Sequence, residues 1–264
     1  MSVTNILYNK IGSGYNTTRL ADPFISQKLF EFLEPNPAGL YLDIGCGTGN
    51  YTIALNNMGL KIYGVDPSEK MLAIASAQNQ NINWVLGSAE NMPVEDNQFN
   101  GVVATLTIHH WHNLTKAFSE IQRVLKPKGK IVIYTSTPEQ MKGYWLNYYF
   151  PNMLADSIMQ MPPLKLIESA LNLSGFKIAK TDNYFIDDDL QDAFLYVGKN
   201  KPELYFSEDI RKGISSFSAL AHAAEVEQGL IDLAEDVKSD LFKSIRLSFN
   251  DKAGDYLFVI AEKK

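Results

Sequence analysis

The sequence predicts an α/β fold: a doubly wound, mostly parallel seven-stranded sheet with an added, largely helical cap. Three observations predict it. Strand-like apolar runs alternate with helix-like segments from Gly39 to Ser136. Repeated strand–helix–strand units of this length imply parallel strands joined by right-handed crossovers. A turn with three glycines at alternate positions, in LDIGCGTGN (42–50), closes the first apolar run. Such turns in open α/β sheets face the ligand crevice.

The elements follow in order. GLYLDIG (39–45) is the first strand. YTIALNNMG is a short helix with Gly59 as its C-terminal cap. KIYGVD (61–66) is the second strand, and Ser68 caps the helix SEKMLAIASAQ, whose apolar face is Met71, Leu72 and Ala75. INWVLGSA (82–89) is the third strand, and the fourth runs roughly from Gly101 to Ile108. Asn113 caps the next helix. There Leu114, Ala117, Phe118, Ile121, Val124 and Leu125 make one continuous stripe. KPKG (126–129) stops that helix, and KIVIYTS (130–136) is the fifth strand. Apolar runs such as VVATLTI suit strands covered on both faces.

After Pro138 the rhythm breaks. The expected organisation is a lid at 1–38, a ligand-binding core at 39–137, and a mostly helical cap at 138–162 and 187–250. The rest of the sheet lies at 163–186 and 251–264, with a helix in PLKLIESALNLSGF and strands near Lys177–Ile186 and in DYLFVIAEKK. The cap is expected to cover the ligand end of the sheet; the alternative is that it packs the flank of the core.

Composition narrows the function. A 264-residue chain can hold one large α/β domain with insertions. The net charge of -6 disfavours a nucleic-acid partner. The single cysteine, Cys46, excludes an intramolecular disulfide and an all-cysteine metal site, and suits a reducing cytoplasm. No run approaches 18 apolar residues and the first ten residues lack a signal-peptide pattern, so no membrane partner and a cytoplasmic location are expected.

The glycine turn lets backbone approach a ligand without an intervening Cβ, and the helix after it offers free N–H groups. A dinucleotide fingerprint needs glycine at the sixth position, which is Asn50 here. A nicotinamide oxidoreductase is therefore disfavoured. Asp66 ends the second strand, where an acid can accept hydrogen bonds from a ribose diol, or simply stabilise the following helix N-terminus.

LDIGCGTGN, GVDPSEKMLAIA, GSAENMP and FNGVVATLTIHHW followed by RVLKPKGKIVI resemble the ordered motifs of class I S-adenosylmethionine-dependent methyltransferases. The likeness is to the small-molecule branch that includes ubiquinone and menaquinone biosynthesis enzymes, and to an uncharacterised bacterial subgroup. It covers about 39–137. It implies a Rossmann-like core, S-adenosyl-L-methionine as cofactor with S-adenosyl-L-homocysteine as product, and a small-molecule methyl acceptor.

By position, the resemblance assigns Asp43, Gly45 and Gly47 to the methionine part and Asp66 to the ribose. Pro67 and Met71 pack on the adenine, the Ala89 N–H meets a ring nitrogen, and Ser88 meets the exocyclic amine. Many relatives carry aspartate at the Ser88 position. Glu90 is either a supporting acid or a solvated loop acid. The Thr105 carbonyl meets the cofactor's ammonium group. Tyr15 and Arg19 come from the lid, Tyr15 to pack on the cofactor and Arg19 to pair with its carboxylate or to stay at the surface.

TIHHWH (107–112) puts His109 and His110 at the rim of the crevice, as candidate proton acceptors or as pocket lining, while His112 is expected to face solvent. No carboxylate is spaced to complete a metal site with them. Tyr144, Trp145, Tyr148, Tyr149 and Phe150 are candidates for an acceptor pocket or for core under the cap. Tyr205, Arg211, Ser215, Ser216 and Phe217 are further candidates for approaching it. The sequence lacks the Asn/Asp-Pro-Pro motif of amino-methylating nucleic-acid enzymes, and Cys46 is misplaced to attack cytosine C5. The expected reaction is methyl transfer to a small organic acceptor by direct in-line displacement. The alternative is a catalytically silent S-adenosylmethionine-binding protein that works through protein contacts.

Overall fold

The computed structural model describes residues 18–264 apart from 219, 250 and 251. Helix α1 (Pro23–Leu33) packs beneath a seven-stranded sheet. Asp22 caps it by accepting from the Ile25 N–H at 3.0 Å, and Pro23 occupies the first turn, where its missing N–H costs nothing. The strands are β1 (Leu40–Ile44), β2 (Lys61–Asp66), β3 (Asn83–Leu86), β4 (Phe99–Thr105), β5 (Leu125–Thr135), β6 (Phe176–Tyr184) and β7 (Tyr256–Lys263).

Their order is β3-β2-β1-β4-β5-β7-β6. The pairs among the first five in that order are parallel, and β7 runs antiparallel to both β5 and β6. The chain winds outward from β1 on one side and from β4 on the other. That reversal opens a crevice beyond the C-terminal ends of β1 and β4.

The crossover helices are α2 (Asn50–Asn57), α3 (Glu69–Gln78) and α4 (Leu114–Val124). Ser68 and Asn113 cap α3 and α4 through the N–H groups of Met71 and Lys116. Ala117, Phe118, Ile121 and Val124 are fully buried, so the apolar stripe of α4 is what holds that helix on the sheet. Helix α8 (Leu164–Leu173) covers the same face beside it.

Beyond shifts of a few residues, the structure departs from expectation in three places. The fourth strand ends at Thr105, because Leu106 takes φ 51 and a 3-10 turn follows at Ile108–His110. The fifth strand begins at Leu125, directly after α4, with a register shift opposite Phe99–Gly101. The stretch 187–201 forms no helix. It is an irregular strap that buries Phe194, Tyr196 and Val197 against the core, and Pro202 starts the next 3-10 turn.

The rest of the additions are helical. Helices α5 (Pro138–Met141), α6 (Leu146–Tyr149) and α7 (Pro151–Gln160) follow β5. Helices α9 (Glu208–Lys212), α10 (Ala223–Lys238) and α11 (Leu241–Ser248) precede β7. They share a core with α1 through Trp145, Tyr149, Phe150, Leu233 and Phe242. Among the described residues no helix is long and apolar enough to cross a membrane.

Candidate active site

A cavity of about 870 Å³ opens beyond the C-terminal ends of β1, β2 and β4, and the cap forms its far wall. The glycine turn forms the near wall. Its first N–H groups, of Gly45 and Cys46, donate to the Val65 carbonyl at 2.8 and 3.1 Å and pin the turn to β2. Gly45 has φ 71, and a Cβ there would meet Thr107 Oγ1 at 2.0 Å. That glycine is needed for packing. Gly47 has φ 54 and nothing within 4 Å of where its Cβ would stand. Its open side lies in the cavity wall, so a ligand can approach the bare backbone there.

Two acids flank the turn. Asp43, at the end of β1, is 2% exposed and accepts from Thr52 Oγ1 at 2.6 Å. Its other oxygen, Oδ1, is buried with no partner. Burial pushes its pKa up to about 7 against the lowering effect of the Thr52 bond. Asp66, at the end of β2, accepts from the Gly47 and Ser68 N–H groups, both at 2.9 Å. Burial raises its pKa too, opposed by those two bonds.

The other positions named from sequence also line the cavity: Arg19, Pro67, Met71, Ser88, Ala89, Glu90, Thr105, His109 and His110. Tyr15 lies outside the described residues, as do residues 1–17 of the expected lid. Arg19 is already paired, its Nε lying 2.6 Å from Asp192 Oδ1. Tyr51 donates to the same carboxylate at 3.1 Å. The Glu90 carboxylate accepts from the N–H groups of His112 and Asn113, so it braces the histidine loop.

His109 and His110 stand with ring centroids 3.9 Å apart. Burial is the main cause that holds His110 down at about 4 and His109 well below the ordinary histidine value, with His110 and Arg19 adding to the latter. Both imidazoles are therefore neutral at pH 7. His109 Nδ1 is buried with no partner. His112 stands exposed at the rim of the cavity, as expected. Among the described residues no group of three or more His, Cys, Asp or Glu could hold a metal ion.

For the aromatic cluster the structure decides in favour of core. Tyr144, Trp145, Tyr149 and Phe150 are buried in the core and do not line the cavity, and Tyr148 is exposed. Tyr144 stacks on Tyr196 with centroids 3.9 Å apart, and Trp145 Nε1 donates to the Lys199 carbonyl at 3.0 Å. Tyr205 is also core, against Trp145, while Arg211 donates to its carbonyl. Phe217 packs on Phe150 and Tyr205. Of that late group, Ser215 and Ser216 line the cavity.

The residues missed in the sequence come mainly from the cap. Met153, Asp156, Ser157 and Gln160 of α7 line the cavity, together with Met161, Asp192 and His222. The first four are spaced i, i+3, i+4, i+7, which is one face of a helix. A mostly polar stripe on a helix bounded by proline was the available signal.

The chain and its fold have known counterparts. The family described as methyltransferase domain matches residues 42–133. The crystal structure of an Anabaena variabilis protein, described as a methyltransferase from an antibiotic biosynthesis pathway, is 32% identical. It superimposes with a TM-score of 0.82 over 92% of this chain and 98% of that one. The chain belongs to the class I S-adenosylmethionine-dependent methyltransferases. A demethylmenaquinone methyltransferase of Chlorobaculum parvum is 31% identical over 177 residues, 59% of this methyltransferase and 71% of that protein. An uncharacterized methyltransferase of Mycobacterium tuberculosis is 31% identical over 133 residues, 50% of this chain. The match spans 54%, about half, of that relative's length.

Proposed function

We propose that this methyltransferase transfers a methyl group from S-adenosylmethionine to a small organic acceptor by in-line displacement. The observation that carries the reading is the near wall. There an open glycine backbone and two buried acids line one cavity, and the Asp43 Oδ1 atom has no partner. A buried acceptor without a partner is costly, and a ligand donor would relieve it.

These residues fit the cofactor. Asp66 takes the ribose hydroxyls, and its backbone donors hold the carboxylate in place meanwhile. Asp43, with the backbone of Gly45, Gly47 and Thr105, surrounds the methionine part. Pro67, Met71, Ser88 and Ala89 form the adenine slot, and Glu90 supports it by bracing the adjacent loop. Arg19 reaches the cofactor's carboxylate from its pairing with Asp192. When bound, S-adenosylmethionine supplies a methyl group already activated by the sulfonium.

The protein's own work is then alignment and exclusion of water. The strap and α7 close the cavity over the acceptor. His109 and His110 act there as neutral hydrogen-bonding walls, because groups held so far below neutrality take up protons poorly at pH 7.

Isothermal titration of ligand-stripped protein tests this reading. S-adenosylmethionine and S-adenosylhomocysteine should both bind at micromolar concentration. Binding of NADH with neither of these would overturn it.

A further inference from the structure

The cap carries a second ionisable pair on the same cavity. His222, at the start of α10, approaches Asp156 of α7 through Nε2, 2.7 Å from Oδ2. Both residues line the cavity that Asp66 and His110 also line. His222 is mostly buried, whereas Asp156 is half-exposed. The carboxylate on Nε2 favours the tautomer with its proton there, which leaves a lone pair on Nδ1. Nδ1 has no hydrogen-bond partner among the described residues. A second acid, Glu225 of α10, also faces this imidazole.

The surroundings suit a hydroxyl-bearing molecule. Ser157 donates to Ser216 at 2.8 Å beside the pair, and Gln160 extends the same polar stripe. Met153, Met161 and Leu195 supply apolar wall between these groups. Arg19, the cation on this cavity among its described lining residues, is paired with Asp192. The half-exposed Asp156 disfavours a phosphate or carboxylate on the part of the acceptor beside it.

We propose that His222 accepts the proton of an acceptor hydroxyl, with Asp156 as the positioning residue. This rests on the methyl-transfer reading above. In that step the acceptor oxygen forms a bond to the methyl carbon as the carbon–sulfur bond breaks. The O–H proton passes to His222 Nδ1, and the electron pair of the broken bond stays on sulfur. Asp156 keeps its hydrogen bond to Nε2 and offsets the positive charge on the ring. Among the four described pocket-wall imidazoles this one has a carboxylate on one nitrogen and an open second nitrogen, whereas His109 and His110 are desolvated.

The test uses the full chain, S-[methyl-14C]adenosylmethionine and a protein-free small-molecule extract of the cells that make the protein. Labelled product should carry its new methyl on oxygen. His222→Gln keeps a partner for Asp156 and should lose kcat by roughly 100-fold or more, with KM little changed. Asp156→Asn should lose less than His222→Gln. Affinity for S-adenosylhomocysteine should stay within about twofold in both variants, by titration.

A readout without turnover is the 15N spectrum of His222. The wild type should show the proton on Nε2, and Asp156→Ala should show a mixture of tautomers. Wild-type kcat in His222→Gln, a methyl group on carbon or nitrogen, or the proton on Nδ1 in the wild type would each overturn the proposal. If the wild type binds S-adenosylhomocysteine yet labels nothing, the methyl-transfer reading fails, and this proposal with it.

Discussion

The two walls of the cavity are built by different means. The near wall is backbone: a glycine turn, strand-end acids and loop N–H groups, all between Asp43 and Ala89. The far wall is side chains from the cap, brought together from α7, the strap and the start of α10. A backbone wall needs glycine and aspartate at fixed spacing from a strand end, so it leaves a readable motif. A side-chain wall needs only that some helix face points inward, and many residue types satisfy that. The cap's aromatics show the consequence, since they form the core that holds the far wall and not its surface.

The largest expected effect sharpens that last point. Trp145→Ala should cost about 3–5 kcal/mol of stability by denaturant unfolding. Tyr148→Ala, three residues along, should change it by less than about 0.5 kcal/mol. Similar losses for the two would mean that the cap core is not arranged as described.

Within the glycine turn, Gly45→Ala should lower stability by about 2 kcal/mol or more, from a positive φ and the clash with Thr107. Gly47→Ala should cost only about 1 kcal/mol of stability. It should nonetheless weaken S-adenosylhomocysteine binding more than it weakens the fold. The reverse ranking of the two glycines would break the distinction between a packing glycine and a ligand-facing one.

A smaller change is expected from the acids. Asp66→Ala should weaken S-adenosylhomocysteine binding by about 10- to 100-fold in titration. Glu90→Ala should change it by less than about threefold, since that carboxylate braces backbone at the rim. Equal losses would merge the two roles.

The buried acid at the end of β1 also gives the ligand-free protein a pH dependence. The Asp43 pKa rises from 3.8 to about 7 on folding. The folded chain therefore keeps a proton that the unfolded chain releases, and stability falls as pH rises from about 4 to about 7, then levels off. Asp43→Asn removes this slope. Its melting temperature should gain on the wild type between about pH 5 and pH 8. A constant gap across that range would put the Asp43 proton elsewhere.

Much of the core was legible from local patterns. The stripe on α4 as far as Val124 and the caps Ser68 and Asn113 stand where the sequence predicts them, because each rests on neighbours within one or two turns. The end of β4 was not legible: Leu106 turns into a left-handed conformation that nothing in TLTIHHW announces, held by its N–H to the Tyr134 carbonyl. Nor was the strap at 187–201, whose aromatic residues find their partners on β5, on β7 and at Tyr144 and Trp145 just before α6. The Arg19–Asp192 pair joins residues 173 positions apart, and no local spacing encodes such a pair.

By itself the sequence determined the sheet, the glycine turn and the acids around it, and thereby the family. Periodicity, capping and turn chemistry act over a few residues, so the residues that cause these features are adjacent in the chain. Tertiary structure alone decided which polar residues of the cap face the cavity, that the aromatics turn away from it, and how far His109 and His110 are desolvated. Burial and long-range pairing set those outcomes, and both depend on segments that meet only when the chain has folded.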